Sequence, residues 1–322
     1  MKKEENSIVD FTDIIENNPS FRAYSGANGI KKGILYHGKP YMLKITHRNK
    51  DSRYTNSILS EYICSKIFSI LGFSVQEVIL GKIMDNGKEK LCVACKDFKE
   101  KGEYLYEFLS IKNSLLKDES SNGSGTELSE ILSTIKEQKF INKNEVTKFF
   151  WDMFIVDSYL GNFDRHNGNW GFLVNENTKS TRIAPVYDCG SCLYPAATDD
   201  DLILFLNSKE EMNKRIYTFP TSAIRLEDKK INYFDFLSST DNIHCIESLK
   251  RITSIISAKE IEVENFIESL PISNIRSTFY KTILKERKEK ILEKALELNK
   301  NIEKSKENPW SKKIEKIHGI ER

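Results

Sequence analysis

Residues 159–195 read YLGNFDRHNGNWGFLVNENTKSTRIAPVYDCGSCLYP, and the fold turns on this stretch. WGFLV (170–174) and TRIAPVY (181–187) are strand-like, and NENTKS between them is a polar turn. An antiparallel hairpin brings its two open ends together. One end begins directly after Asn169 and the other finishes directly before Asp188. The two residues are therefore expected side by side, with Asp164 slightly upstream on the same rim. Three oxygen-bearing side chains at one point suit a hard cation such as Mg2+.

Upstream, the first hundred residues read as a small sheet with one helix. SGANGIKKG (25–33) is a glycine-containing loop, and ILYHGKPYMLKI (34–45) a hairpin turning at His37 to Pro40. A helix is expected from about Asn56 to Leu71, because Ile58/Leu59, Tyr62/Ile63, Ile67 and Ile70/Leu71 recur every three to four positions. Thr55 or Asn56 caps it and Gly72 stops it. VQEVILGKIM and KLCVACKDF form a second hairpin around Asp85-Asn86-Gly87. After Phe98 the pattern turns helical. Residues 117–127, KDESSNGSGTE, read as an exposed loop, residues 144–160 as an amphipathic helix, and the charged stretch from Thr282 to Ser305 as a solvated helix. Asp157 is read as a buried cap partner for the segment after it, and Trp151 and Trp170 as core. The expected fold is α+β and two-lobed, with a sheet-rich N-lobe over 1–98 and a helical C-lobe over 99–322.

Phosphoryl transfer needs such an arrangement. Metal ions must bridge phosphate oxygens while a carboxylate orients or deprotonates the attacking hydroxyl. Asp164 and Asn169 have the spacing of the Asp and Asn in a protein-kinase catalytic loop, and Asp188-Cys189-Gly190 stands where such kinases carry the metal-binding DFG. DRHNGN followed by PVYD resembles the HipA-like serine/threonine kinases. FFWDMFIVDSYLGNFDRHNGNWGF with APVYDCGSCLYP is especially similar to the cell-translocating group among them. The likeness extends to SGANG, YTN…SEYICSKIFSILG, VACKDF and KINYFDFL, and so spans roughly Ser25 to Arg287. It implies an ATP- and Mg2+-dependent protein kinase of the shorter form, without an additional N-terminal subdomain. Asp164 is then the base, and Asn169 and Asp188 the magnesium ligands. Lys44 is the phosphate-facing lysine, and Glu61 its partner on the next helix. His166 either organises the loop or is a structural histidine, and it stands among the catalytic candidates. Ser25, Gly26, Asn28 and Gly29 would approach the phosphates. Val93 to Phe98, with Val93, Cys95 and Asp97 as candidates, would face adenine through backbone atoms. The resemblance also implies autophosphorylation, with Ser25 as the acceptor.

Composition narrows the alternatives. The chain has 322 residues, 39% hydrophobic and 11% aromatic, enough for a real core. Lys and Arg total 49 against 47 Asp and Glu, a net charge of +2, which argues against a dedicated nucleic-acid binder. No secretory signal or membrane-length apolar run is read, so a cytoplasmic protein is expected. The resemblance leaves room for export without a signal, and for an antitoxin-like or host protein partner beside the protein substrate. The six cysteines suit a reducing compartment. Cys92 and Cys95, an odd separation apart on a strand, cannot share one zinc. DRHNGN also suits phosphoinositide kinases, so a lipid kinase is the runner-up, and a toxin-like or regulatory protein using the site as a switch is the third reading. Asp199, Asp200 and Asp201, with no Lys or Arg from there to Ser208, would repel an anionic headgroup and suit a neutral or basic polypeptide, unless the run folds away from the cleft or merely caps the helix after it.

Overall fold

The computed structural model describes residues 8–20, 30–45, 56–116 and 122–307. The chain begins with β1 (Val9–Asp10), α1 (Thr12–Asn17), β2 (Ile30–Tyr36), β3 (Lys39–Ile45), α2 (Ser57–Ile70), β4 (Val78–Asp85) and β5 (Lys88–Lys96). These strands form one sheet in the order β1-β4-β5-β3-β2, antiparallel except for β1 on β4. Both hairpins turn as their sequences require. His37 and Gly38 have φ of 48° and 70°, and Asn86 and Gly87 have 51° and 72°, the left-handed pair that matches strand twist.

The pleat of this sheet separates two cores. Ile34, Tyr41, Leu43, Ile45, Cys92 and Ala94 surround Phe11 on one face. Gly81 makes that possible, since a Cβ there would lie 2.4 Å from the Phe11 ring. Val78, Leu80, Val93 and Cys95 face the other way, against Ile63 and Ile67 of α2. Cys92 and Cys95 are thus on opposite faces, and all six cysteines are buried free thiols.

Beyond Lys96 come β6 (Glu103–Glu107), α3 (Phe108–Leu116), α4 (Leu128–Glu137), α5 (Lys143–Leu160), β7 (Gly171–Asn175) and β8 (Thr181–Ile183). Then follow α6 (Asp199–Asn207), α7 (Lys209–Asn213), β9 (Arg225–Leu226), β10 (Lys229–Lys230), α8 (Tyr233–Ser239), α9 (Ile243–Glu268), α10 (Asn274–Arg287) and α11 (Lys294–Glu307). From Phe150 to Leu160, α5 is buried at every position and forms the central helix. Trp151 is fully buried and Trp170 stacks on Phe108 at 3.9 Å. Large side chains of this kind each contribute roughly 1.5–3 kcal/mol by leaving water. No helix among the described residues is long and apolar enough to cross a membrane.

Four expectations need correction. The pattern after Phe98 is not purely helical, because β6 pairs with β7 from Glu103↔Asn175 to Glu107↔Gly171. Its partner lies far downstream, so no local periodicity announces it. The loop before α4 is not simply exposed: Gly123 is buried, and a Cβ there would meet Leu109 O at 2.2 Å. The charged C-terminal stretch is not only a solvated face. Arg287 is wholly buried and donates from Nε and Nη2 to Ser158 O at 2.9 and 2.6 Å. Finally, the acidic run is structural. Thr198 and Asp201 form a capping box at the start of α6, and Asp199 pairs with the buried Arg276 at 2.7 Å.

Candidate active site

α5 ends at Gly161, whose φ of 67° turns the chain out of the helix. The next residues form a loop held by its own polar groups and by those of the segments around it. Asn162 donates from Nδ2 to Asp157 Oδ1 at 2.8 Å and accepts from the Asp164 N–H at 3.0 Å. The His166 N–H bonds Asp164 O, and the Asn169 N–H bonds His166 O. His166 Nδ1 accepts from the Gly168 N–H at 3.0 Å, which fixes its ring against the loop. Asn169 Nδ2 donates to Asp164 O at 2.8 Å. That bond ties the two residues together and leaves Asn169 Oδ1 as the atom available to a cation.

Arg165, whose role the sequence left open, is the pin of the site. Its guanidinium is buried and grips Asp157 through Nε at 3.0 Å and Nη2 at 3.2 Å. Nη1 donates to Asn169 O at 3.0 Å and to Tyr187 O at 2.5 Å. One side chain therefore joins the end of the loop to the residue before Asp188. Tyr187 adds a bond from its hydroxyl to Gly168 O at 3.0 Å. Asp188 itself has a φ of 57°, a strained region for a residue with a side chain and one that functional sites tend to retain.

Lys44 closes the constellation from the sheet. Its Nζ lies 2.9 Å from Glu61 Oε2 and 3.1 Å from Asp188 Oδ1. Burial disfavours the ammonium, but the Glu61 and Asp188 carboxylates outweigh it and hold Lys44 well above the usual lysine range. Lys44 in turn is the main reason Asp188 stays below the ordinary carboxylate range, against the effect of burial. Asp164 moves the opposite way. Burial pushes its carboxyl up and the Asp188 charge adds to the rise, while His166, Lys230 and Arg165 pull it back. A carboxylate raised in this way is a better proton acceptor for a hydroxyl than an ordinary aspartate.

α2 is positioned from the far side of the site. The Asn56 N–H bonds Pro195 O at 2.9 Å, and its side chain donates to Ala197 O instead of capping its own helix. Glu61 is 1% exposed, and its Oε1 is buried without a hydrogen-bond partner among the described residues. Gly190 explains the close approach of helix and hairpin, since a Cβ there would stand 3.2 Å from Glu61 Oε2.

Val93 and Cys95 are fully buried in β5, opposite Lys44 and Met42 of β3 in the ladder. The N–H groups of Lys96 and Asp97 are bonded to Glu77 O and Pro40 O at 2.9 Å each. Ser25, Gly26, Asn28 and Gly29 lie outside the described residues. The sequence leaves Arg165 between a structural and a phosphate-facing role and does not single out Asn167, which is buried and donates to Gly123 O and Gly125 O at 3.0 and 2.8 Å. The DRHNGN motif contains both residues, but a motif does not say which members hold the loop and which face the substrate.

The donor set fits magnesium. Asp188 offers carboxylate oxygens with 44% of its side chain exposed, and Asn169 offers an amide oxygen. Mg2+ typically takes one or two protein carboxylates and completes its shell with phosphate and water. A closed protein cage is a different arrangement, and among the described residues no group of three or more His, Cys, Asp and Glu side chains forms one.

Comparison with known proteins gives the geometry its family. The HipA-like C-terminal domain matches residues 27–258. The serine/threonine-protein kinase CtkA of Helicobacter pylori strain J99 is 43% identical over 311 residues, spanning 94% of this chain and 93% of its own. The crystal structure of a Helicobacter pylori proinflammatory kinase CtkA superposes with a TM-score of 0.84 at 42% identity, covering 93% of this chain and 99% of that one. HipA from Shewanella oneidensis MR-1, solved with HipB and operator DNA, shares the fold alone, with a TM-score of 0.53 at 16% identity over 89% of this chain and 71% of that one. With Lys44, Glu61 and Asp188 joined at one ammonium beside the DRHNGN loop, the chain belongs to the HipA-like family of protein kinases.

Proposed function

We propose that the protein transfers the γ-phosphate of ATP to a serine or threonine hydroxyl of a polypeptide, with Asp164 as the base that receives the hydroxyl proton. The observation that carries this reading is the bridging of Glu61 and Asp188 by Lys44, which aligns the sheet with the catalytic loop. Asn169 and Asp188 would hold Mg2+, which when bound neutralises phosphate charge. Lys44 orients the phosphates, Glu61 holds Lys44, and Asp164 orients the acceptor hydroxyl. His166 and Arg165 keep the loop in shape without touching the reacting atoms. Adenine sits against Val93 to Phe98, held through backbone atoms. Ser25, in the SGANG motif, is the acceptor in autophosphorylation, which mass spectrometry after incubation with ATP tests.

The choice of a protein acceptor over an inositol lipid is supported by the kinship with a serine/threonine-protein kinase. The acidic run no longer bears on it, since Asp199 and Asp201 are engaged in structure. The deciding assay offers radiolabelled ATP to the purified protein with a generic protein acceptor and, separately, phosphoinositide vesicles. Protein labelling that disappears in Asp164→Ala is expected. Asp164-dependent labelling of the lipid alone would replace this reading with the lipid-kinase one.

A further inference from the structure

A cation from outside the DRHNGN loop reaches its aspartate. Of the positive groups that draw the Asp164 carboxyl down against its burial, His166 and Arg165 belong to the loop itself, whereas Lys230 comes from β10. The β9–β10 hairpin is braced to the loop at both ends. At its tip the Glu127 carboxylate accepts from the N–H groups of Glu227 and Asp228 at 3.0 and 3.2 Å. The neighbouring Thr126 accepts at its carbonyl from the Arg225 N–H at 2.9 Å, and Asn167 of the loop holds the glycines just before it. At the open end, three residues past Lys230, the Tyr233 hydroxyl donates to Asn162 O at 2.5 Å. Asn162 in turn accepts from the Asp164 N–H.

The hairpin is kept in this place against local preference. Glu227 and Asp228 have φ of 52° and 62°, a left-handed pair that glycine and asparagine adopt more readily. Backbone strain that the surroundings maintain is a mark of functional segments. Lys230 also stands directly opposite Arg225, and like charges so placed weaken a ladder. Arg225 is engaged, with Nη1 on Asp228 O at 2.6 Å. Lys230 is exposed and has no ion pair or hydrogen bond among the described residues. The cations acting most on Asp188 are Lys44, Arg165 and Lys31, so Lys230 works at the base and not at the metal end of the site. The acidic turn lies at the far end of the hairpin, leaving the ammonium to meet whatever is brought to Asp164. We propose that Lys230 selects the acceptor, binding an acidic side chain that lies within about three residues of the phosphorylated serine or threonine. That span follows from the roughly 8–10 Å over which charges act through water and the ~3.3 Å advance of an extended chain per residue. The inference rests on the kinase reading, and names the class of polypeptide which that site takes.

The test uses serine peptides of one sequence that carry Glu, Gln or Lys on both sides of the serine. Labelling from Mg-ATP gives kcat/KM for each peptide, and fluorescence anisotropy gives its affinity without phosphotransfer. Wild-type protein should favour the Glu peptide over the Gln peptide by roughly fivefold, the upper range of one exposed ion pair. Lys230→Ala should lose that preference, and Lys230→Glu should turn it toward the Lys peptide, with the KM for ATP unchanged in both. Lys229→Ala, one residue back on the opposite face of the hairpin, should keep the wild-type preference. Equal use and binding of the Glu and Gln peptides by wild type, or a preference that survives in folded Lys230→Ala protein, would overturn the assignment. The two readouts separate this inference from the reading beneath it. Lys230-dependent binding of the Glu peptide with no labelling of any peptide would refute the kinase reading and leave Lys230 as a docking residue. Labelling that is indifferent to Lys230 would do the reverse.

Discussion

Asp157 and Arg165 form a two-pronged ion pair inside the protein, Nε to Oδ2 at 3.0 Å and Nη2 to Oδ1 at 3.2 Å, with neither side chain more than 3% exposed. The remaining guanidinium nitrogen reaches the carbonyls of Asn169 and Tyr187. The last turn of α5, the DRHNGN loop and the segment before Asp188 are thereby one unit. Removing one partner leaves a buried charge uncompensated, at a cost of about 3–5 kcal/mol. Asp157→Ala and Arg165→Ala are each expected to lose that stability in urea unfolding, and turnover with it. Arg165→Lys should not rescue either, because an ammonium lacks the planar fork that reaches three partners. A lysine variant as stable and active as wild type would show that the fork is dispensable.

Asn169 and Asp188 differ in what their removal does. Asp188→Ala takes away a proposed metal ligand and the second partner of Lys44. Asn169→Ala takes away a proposed metal ligand and the bond that ties it to Asp164 O. Both variants should need more Mg2+ for half-maximal turnover, with Asp188→Ala the more severe. Magnesium titrations of initial rate measure this. The same half-saturating concentration in both variants and wild type would place the metal elsewhere.

Gly190 tests the spacing between α2 and the hairpin. A methyl group on its Cα would sit 3.2 Å from Glu61 Oε2 and 3.5 Å from Ser57 O. Gly190→Ala is expected to cost about 1–3 kcal/mol through overpacking, and to displace Glu61 from Lys44. The signature is a raised KM for ATP together with a lowered kcat, alongside a modest drop in melting temperature. A variant with unchanged kinetics would mean that Glu61 can give way without losing Lys44.

The centre of this site was legible because its logic is local. Two strand-like runs and a polar turn announce a hairpin with Asn169 near one open end and Asp188 near the other. The hairpin itself is shorter than its sequence suggests, pairing Gly171–Asn175 with Thr181–Ile183 alone, and Arg165 makes the last step toward Asp188 by bonding Asn169 O and Tyr187 O. The strand carrying Lys44 and the helix carrying Glu61 announced themselves by turn residues and by helical periodicity. What escaped depends on distant partners. The strand over Glu103–Glu107 exists because it pairs with Gly171–Asn175, and Arg165 is a pin because Asp157 and Tyr187 surround it. Arg287 looked like one charge in a solvated series, yet it is buried against the carbonyl of Ser158. Its neighbours in sequence say nothing of that burial.

The acidic run carries the last prediction, because two of its three members are engaged in structure. Asp199 accepts from Arg276 Nη2 at 2.7 Å, and that nitrogen also reaches Ala197 O at 3.0 Å. Asp200, exposed between two engaged neighbours, is the member left to solvent. Asp200→Asn should therefore change neither stability nor acceptor labelling. Asp199→Asn should destabilise by about 0.5–1 kcal/mol, since the carboxylate is 45% exposed and partly screened. The pH dependence separates charge from shape. A hydrogen bond from Ser273 is the largest influence holding Asp199 below the usual range; burial opposes it and Arg276 reinforces it. Its contribution is present above the unfolded value of about 3.9 and is lost as pH falls through the lower folded value. Thermal melts of wild type and Asp199→Asn should differ at neutral pH and converge once the pH has fallen below the lowered folded value. A gap that persists unchanged in acid would mean that Asp199 acts through packing, not through its charge on Arg276.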